Sequence, residues 1–317
     1  MVTSRVPIKF GVSIGQERVT WPELKEAAAL IQELGFDSLW CHDHLIPSDP
    51  GLNQGPCLES TALLGALSVM TKDIRIGCMV AGNTYRNPVL LAKSATTVDI
   101  ISGGRLIFGI GAAWFEQEHT AYNFPFYTVR ERIDRLAEAV EMIKLLWESD
   151  GPVSYQGRYY SLEDAPFDPK PIQKPHPPIL IAGGGEKRTL RVVARWADAM
   201  NVSGTPEMTA HKFRVLEQHC KAIGRDPAEI EKTVNVSFIP PEKIDEWNEY
   251  MKRLSVTMPD AAEAKKATAV VGDMDVIEEW VRGQVEVGAQ HVIFTLRSPY
   301  PFDSLREFAR KVMPKFK

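Results

Sequence analysis

Short runs of apolar and β-branched residues alternate along the chain with longer segments whose apolar positions recur every three or four residues, and turn residues separate the two. That alternation predicts parallel strands joined by helices. Residues 9–15 (KFGVSIG) read as the first strand. Thr20 then caps a helix in which Leu24, Ala28, Ile31 and Leu34 keep helical spacing until Gly35 ends it. Residues 38–44 (SLWCHDH) form the second strand, and a helix over about 58–70 leads to the third at 75–81 (RIGCMVA). A helix opened by Asn87-Pro88 runs to Ser102-Gly103-Gly104, and the fourth strand is 105–111 (RLIFGIG).

A long helix over 129–148 follows, with Ile133, Leu136, Val140, Ile143 and Trp147 on one face, and then a β-hairpin in which 153–155 and 158–160 flank Gln156-Gly157. Six prolines in 166–178 (PFDPKPIQKPHPP) exclude a helix there and predict an extended arm over the surface. The arm is not an interdomain linker, because the alternation resumes at once. Strands fall at 179–182, 199–202, 233–239 and 291–296, helices at 186–196, 206–223, 242–258 and 275–287, and a last helix starts at Asp303. Eight strand–helix units predict an α/β chain folded as a (β/α)8 TIM barrel. One domain over 1–317 is expected, with insertions between strands 4 and 5, at about 114–178, and after strand 7.

Of the 317 residues 44% are hydrophobic and 25% charged, with seven tryptophans, so the chain can build a large core and does not read as disordered or fibrous. Thirty-seven Lys and Arg stand against 41 Asp and Glu, leaving no basic excess for a nucleic-acid backbone. Cys41, Cys57, Cys78 and Cys220 show no CxxC spacing, which favours a reducing cytoplasm. The first residues, MVTSRVPIKFGVSIG, lack the apolar core and cleavage site of a signal peptide, and no window approaches 18 uncharged apolar residues. Secretion and membrane insertion are not expected.

Barrel enzymes carry their chemistry at the C-terminal ends of the strands. Strand 2 ends in His42-Asp43-His44, three polar or ionisable residues where an apolar strand meets a loop. A His-x-His pair there could hold a metal, but the further ligands such a centre needs are missing: strands 4 to 6 end in glycines and Asn201, and strand 8 in Leu296-Arg297. No metal is assigned. Hydrogen bonding at the strand end alone would also account for the three residues. Strand 5 runs into Gly183, Gly184, Gly185, Glu186, Lys187 and Arg188, where backbone donors and two cations before a helix suit an anion such as a phosphate. Asn201 and Ser203, ending strand 6, would share it. Strand 3 closes with Met79, Val80, Ala81, Gly82, Asn83 and Thr84, and strand 4 with small residues and then Trp114, Phe115, Glu116, Gln117 and Glu118. Small residues beside aromatics suit a flat ring lying on backbone; equally, the aromatics could simply cover the barrel mouth.

FDSLWCHDHL, RIGCMVAGNTYRNPVLLAKSATTVDIISGGRLIFGIGAAWFEQEH, RERIDRLAEAVEMIKLLW and KPHPPILIAGGGEKRTLRVVARWADAMN, taken in that order, resemble the luciferase-like monooxygenase family, and more closely its branch that uses the deazaflavin coenzyme F420. The resemblance implies a (β/α)8 barrel with an insertion between strands 4 and 5. It implies that Asp43 lies near the pyrimidine edge of the ring and His44 near the reacting carbon. A non-prolyl cis peptide behind the ring would fall near Met79-Val80. Thr84, Gln117, the glycine turn and the end of strand 6 would hold the ring and phosphate. Two departures separate the chain from the family's sugar-phosphate dehydrogenase: Trp114 stands where that enzyme has a catalytic Glu, and Ser48 replaces a tryptophan after the Asp-His pair. Its substrate is therefore not carried over.

The resemblance thus implies an oxidoreductase passing a hydride between reduced F420 and a small organic substrate. His44 is the acid–base candidate, with Glu118 and Glu116 in reserve. An FMN monooxygenase fed by a partner reductase is the alternative, since a phosphate cradle serves both cofactors. A flavin-like ligand held without turnover, or a metal-dependent hydrolase, would be a different class. The run Ala62, Leu63, Leu64, Gly65, Ala66, Leu67 is too broad for one core-facing stripe, so a homodimer with this helix or its neighbour at the interface is expected.

Overall fold

The computed structural model describes residues 7–49 and 54–317; the first six residues of the N-terminal stretch lie outside the described residues. Eight parallel strands form its centre: β1 (Lys9–Ile14), β2 (Ser38–Cys41), β3 (Arg75–Cys78), β4 (Leu106–Gly111), β5 (Ile179–Ala182), β6 (Ala199–Val202), β7 (Glu231–Ile239) and β8 (His291–Leu296). Each pairs with its neighbours in chain order, and β1 pairs with β8 from Lys9↔His291 to Ile14↔Leu296, closing the ring. Closure leaves no strand edge in the ring and makes the fold a TIM barrel.

Local chemistry sets the helix starts. The Thr20 N–H donates to the Glu23 carboxylate at 2.8 Å, and Asn87 Oδ1 accepts from Val89 N–H at 2.8 Å. Outside the ring, Phe308 packs edge-on against Phe10 and Phe294, with centroids 5.3 and 4.8 Å apart. Inside it, Trp40, Ile107, Leu180, Ala199 and Ile293 fill the lumen, and Met79, Val80 and Ala182 pack on them. The barrel is therefore plugged below its C-terminal mouth, which supplies a solid floor for whatever binds there.

Several boundaries differ from those read in the sequence. β2 stops at Cys41 rather than at 44, because side chains replace the ladder: His42 N–H bonds Gln16 Oε1 at 3.0 Å. β3 breaks at a cis Met79–Val80 peptide and resumes as Ala81–Gly82, paired with β4. The second hairpin strand is Ser161–Ala165, not 158–160, since Glu138 captures the N–H groups of Arg158 and Tyr159 at 3.0 and 2.8 Å. The helix expected from 186 begins at Thr189. Residues 186–188 form a turn instead, held from the side where His219 Nε2 bonds the Glu186 carbonyl at 2.7 Å. The helix expected over 242–258 is Ile244–Thr257; Pro259 then opens an unexpected helix, Pro259–Ala267, and a short strand Ala269–Val271 follows beside β7.

One polar chain runs through the barrel interior. The Trp40 indole donates to Ser38 Oγ at 2.7 Å, and Ser38 Oγ–H donates to His291 Nε2 at 2.8 Å. Burial pushes the His291 pKa down to about 4, against the pull of Glu231. An imidazole in the unfolded chain titrates near about 6.5. As pH falls, the unfolded state therefore takes up the proton first. The stability due to neutral His291 is complete above that value and is lost as pH drops towards 4. Denaturant midpoints should fall over this window, and His291→Gln should flatten the fall; an unchanged slope would contradict the assignment.

Candidate active site at the barrel mouth

A cavity of about 650 Å³ opens at the C-terminal end of the barrel, within the usual range for a small-molecule site. Its apolar shelf is Met79 and Val80 with Ala112 and Ala113 of the loop after β4. Room for the broken strand comes from Gly109, where a Cβ would stand 2.0 Å from the Cys78 carbonyl oxygen. No side chain fits there.

Asp43 fastens this shelf to the rest of the mouth. It is buried, and its carboxylate accepts from Ser60 Oγ–H, from Gly82 N–H at 2.8 Å and from Arg86 Nη1 at 2.7 Å. Three elements thus meet on one anion: the helix Ser60–Met70, the resumed strand and the loop before Asn87. Burial alone would ease the Arg86 proton off, but Asp43 and Glu59 hold its pKa above the usual value.

His44 lines the cavity beside Trp114, its ring edge-on to that indole with centroids 5.5 Å apart. Its Nδ1 faces Glu118 Oε2 at 3.2 Å, and its Nε2 has no hydrogen-bond partner among the described residues. Glu118 is fully buried behind the histidine and also accepts from Leu45 N–H, Ile46 N–H at 3.1 Å and the Tyr85 hydroxyl. Burial works to raise the Glu118 pKa, yet the bonds from His44, Tyr85 and Leu45 bring it below the usual carboxylate value. The carboxylate is therefore a fixed anion that orients the imidazole, with Nε2 left to exchange a proton with a bound molecule. His42 differs. Burial pushes it down to about 4, so it is neutral at pH 7; its Nδ1 accepts the His44 N–H at 3.2 Å, and its buried Nε2 makes no hydrogen bond among the described residues.

The far end of the cavity is the glycine turn. Gly183 adopts φ +132°, a conformation that strains any residue with a side chain, and donates its N–H to the Asn201 carbonyl at 3.1 Å. Lys212 of the helix Pro206–Ala222 borders Gly184, its Nζ paired with Glu186 at 2.6 Å. Asn201 and Ser203 line the same end, and Ser203 Oγ–H donates to Asn235 Oδ1 at 2.6 Å. The glycine backbone at 183–184, the Lys212 ammonium and the hydroxyls of Thr189 and Ser203 line this end, a set that fits a phosphate, while the shelf fits a flat ring.

Of the residues singled out in the sequence, His44, Asp43, Met79, Val80, Gly183, Gly184, Asn201 and Ser203 come together around this cavity. His42, Gly82 and Trp114 line it too, while Asn83, Thr84, Gln117 and residues 185–188 do not. Thr84 Oγ1 bonds the buried His119 at 2.7 Å, Asn83 is buried against Tyr160, and Gln117 is exposed. Gly185, Glu186, Lys187 and Arg188 stand behind the turn, Arg188 paired with Asp134 at 3.2 Å. Residue patterns missed Tyr85, Arg86, Lys212 and Asn235. Lys212 had a legible signal, since Lys212 and His219 lie seven residues apart on one helix face and both reach the turn at Glu186.

Glu118→Ala should destabilise the fold by about 3 kcal/mol or more, because it strands two amides and a hydroxyl. Glu118→Gln, which keeps an acceptor, should cost less. Urea unfolding of both variants checks this, and equal stabilities would refute it.

The luciferase-like monooxygenase family model matches residues 2–291. An F420-dependent glucose-6-phosphate dehydrogenase of Amycolatopsis mediterranei is 26% identical, aligned over 98% of this chain and 99% of its own length. One from Microbacterium testaceum is 28% identical over 98% of both. Among solved structures, an F420-dependent secondary alcohol dehydrogenase in complex with an F420–acetone adduct superposes with TM-score 0.85 at 20% identity, covering 98% of this chain and all of its own. A monooxygenase from Streptomyces bottropensis does so with TM-score 0.80 at 21% identity, again over 98% and 100%. With its family model spanning nearly the whole chain and its barrel superposing on these enzymes, the protein belongs to the luciferase-like monooxygenase family.

Proposed function

We propose that this protein is an oxidoreductase that binds coenzyme F420 at the barrel mouth and passes a hydride between the deazaflavin ring and a small organic substrate. One observation carries the reading: the imidazole of His44, backed by Glu118, stands beside a flat apolar shelf whose far end is a phosphate-like cradle. Full-length similarity to F420-dependent dehydrogenases supports it. When bound, the coenzyme supplies or accepts the hydride. The chain's own residues do the rest. Met79, Val80 and the alanines after β4 support the ring, while Gly183, Gly184, Lys212 and Ser203 take the phosphate. His44 Nε2 gives or receives the proton at the substrate oxygen, and Glu118 holds the ring in place.

Asp43 enters this scheme as the anchor of the shelf, its oxygens being engaged by Ser60, Gly82 and Arg86. Trp114, 60% exposed at the mouth, leaves an aromatic face where the related sugar-phosphate dehydrogenases place a carboxylate. Glu118, four residues on, is the carboxylate that reaches the site. A second reading, an FMN monooxygenase fed by a reductase, is favoured by the likeness to the Streptomyces enzyme and by a cradle that suits either phosphate.

A homodimer is part of the proposal. The helix Ser60–Met70 buries Leu63, Leu64 and Leu67 but leaves Val69 71% exposed, and the adjacent helix Pro88–Ile101 exposes Leu90, Ile100 and Ile101. Together they present an apolar face suited to a second copy. Four free cysteines support a reducing cytoplasm as its setting.

Titration with F420 and with FMN, followed by cofactor fluorescence, should show micromolar binding of F420; binding of FMN alone, with oxygen uptake, would overturn the F420 reading. His44→Ala should lower turnover by about 10²–10⁴-fold with little change in cofactor affinity. Gly184→Val should do the reverse. Light scattering should give twice the chain mass, shifted towards monomer by Ala66→Glu.

A further inference from the structure

The barrel mouth holds a second, larger compartment. A cavity of about 930 Å³ lies over the C-terminal ends of β1, β7 and β8, beneath the helix Ile244–Thr257. It adjoins the first. Asn235 of β7 lines one and Ser237, two residues on along the same strand, lines the other. Glu17, in the wall of the second, is 3.3 Å from His42 in the wall of the first. A molecule in this compartment therefore lies next to the first cavity, over the ends of β7, β8 and β1.

Its charges do not cancel. Arg18, Lys243, Lys252, Arg253, Lys265 and Arg297 face four carboxylates, those of Glu17, Asp49, Glu246 and Glu249. Asp49 is shared by Arg297 and Arg18, and Lys243 is spent on Glu246 at 2.8 Å. Glu17 is held by the N–H and hydroxyl of Ser48 at 2.8 and 2.9 Å. Lys265 has no ion-pair partner among the described residues. The Tyr250 hydroxyl in the same wall is buried without a hydrogen bond among the described residues. Burial also holds the Lys265 pKa below the usual lysine value, so the amine lacks solvation that an anion would restore. A buried hydroxyl and a half-buried cation, neither with a polar partner among the described residues and both lining one cavity, describe a missing acceptor.

We propose that this compartment is the substrate's seat, and that Lys265 and Tyr250, with Arg297 beside them, receive an anionic oxygen group, carboxylate or phosphate, at the end of the substrate remote from the reacting carbon. The inference rests on the oxidoreductase reading for which end of the substrate reacts, but its anion site can be measured without any cofactor. Binding energy at this remote group would orient the reacting end against His44.

Isothermal calorimetry on the cofactor-free protein, with glycerol 3-phosphate and with succinate as probes, tests it. At least one should bind saturably; Lys265→Met should weaken that binding about tenfold or more, the scale of a charge-assisted hydrogen bond, and Lys265→Arg should restore most of it. Tyr250→Phe, which removes one oxygen, should weaken it less. Preference between the probes identifies the anion. Gly184→Val reports the cofactor cradle and should leave this binding unchanged. Binding of neither probe, equal binding by Lys265→Met in a folded protein, or loss confined to Gly184→Val would overturn the proposal. F420 affinity, read separately by fluorescence, is unaffected by Lys265→Met. Failure of F420 to bind while the Lys265-dependent anion binding persists therefore counts against the cofactor reading and not against the anion seat.

Discussion

Ring closure is the constraint on which the rest of this molecule depends. A parallel strand ends on the same side as its neighbours, and the β1–β8 pairing brings the last strand back to the first, so all eight C-terminal ends surround one mouth. His42, Asp43, Met79, Ala112, Gly183, Asn201, Asn235 and Arg297 come from seven different strand ends and become neighbours only because the ring closes. The aromatic and aliphatic plug of Trp40, Ile107, Leu180 and Ile293 then gives that mouth a floor.

Burying ionisable groups at the mouth costs free energy unless each is answered, and the structure answers nearly all of them. Asp43 has an arginine, an amide and a hydroxyl; Glu118 has two amides, a phenol and an imidazole. The donors around Glu118, built into the backbone and rigid side chains, hold its pKa below the usual carboxylate value. Two histidines, His42 and His291, take the other solution and remain neutral. His44 is left between these regimes, oriented by a fixed anion and open on its second nitrogen, which is the arrangement a proton-transfer group requires. Lys265 and the Tyr250 hydroxyl, without polar partners among the described residues, both line the neighbouring compartment, and this underlies the division proposed between cofactor and substrate.

The inserted segments serve this mouth. The segment between β4 and β5 supplies Trp114, Glu118 and the long helix Val129–Glu148, and its proline arm is tied back to the barrel where Gln173 and the amide of Ile172 bond the buried Asp99. Trp147, 1% exposed, anchors the long helix between Phe108 and His176 and donates to Thr96 Oγ1 at 3.0 Å. The segment after β7 supplies the roof of the second compartment. Loop variation on a constant ring is how this fold changes substrate.

Hydrophobic period and turn chemistry are local, and they sufficed for the eight strand–helix units, the Thr20 and Asn87 caps and the proline arm. The sequence also placed His44 and the glycine turn at strand ends, because a polar run after an apolar strand is itself a local signal. Tertiary contacts decided what no local pattern encodes. Glu138 captures amides from 20 residues away and moves a hairpin strand; Glu118 crosses from the loop after β4 to His44; Arg86 takes the Asp43 carboxylate. Thr84 and Gln117 look as available in the sequence as Ser203, yet Ser203 lines the mouth while Thr84 bonds the buried His119 away from it and Gln117 faces outward. Whether a polar side chain is free to meet a ligand depends on which distant donors and acceptors reach it first, and ring closure sets those distances.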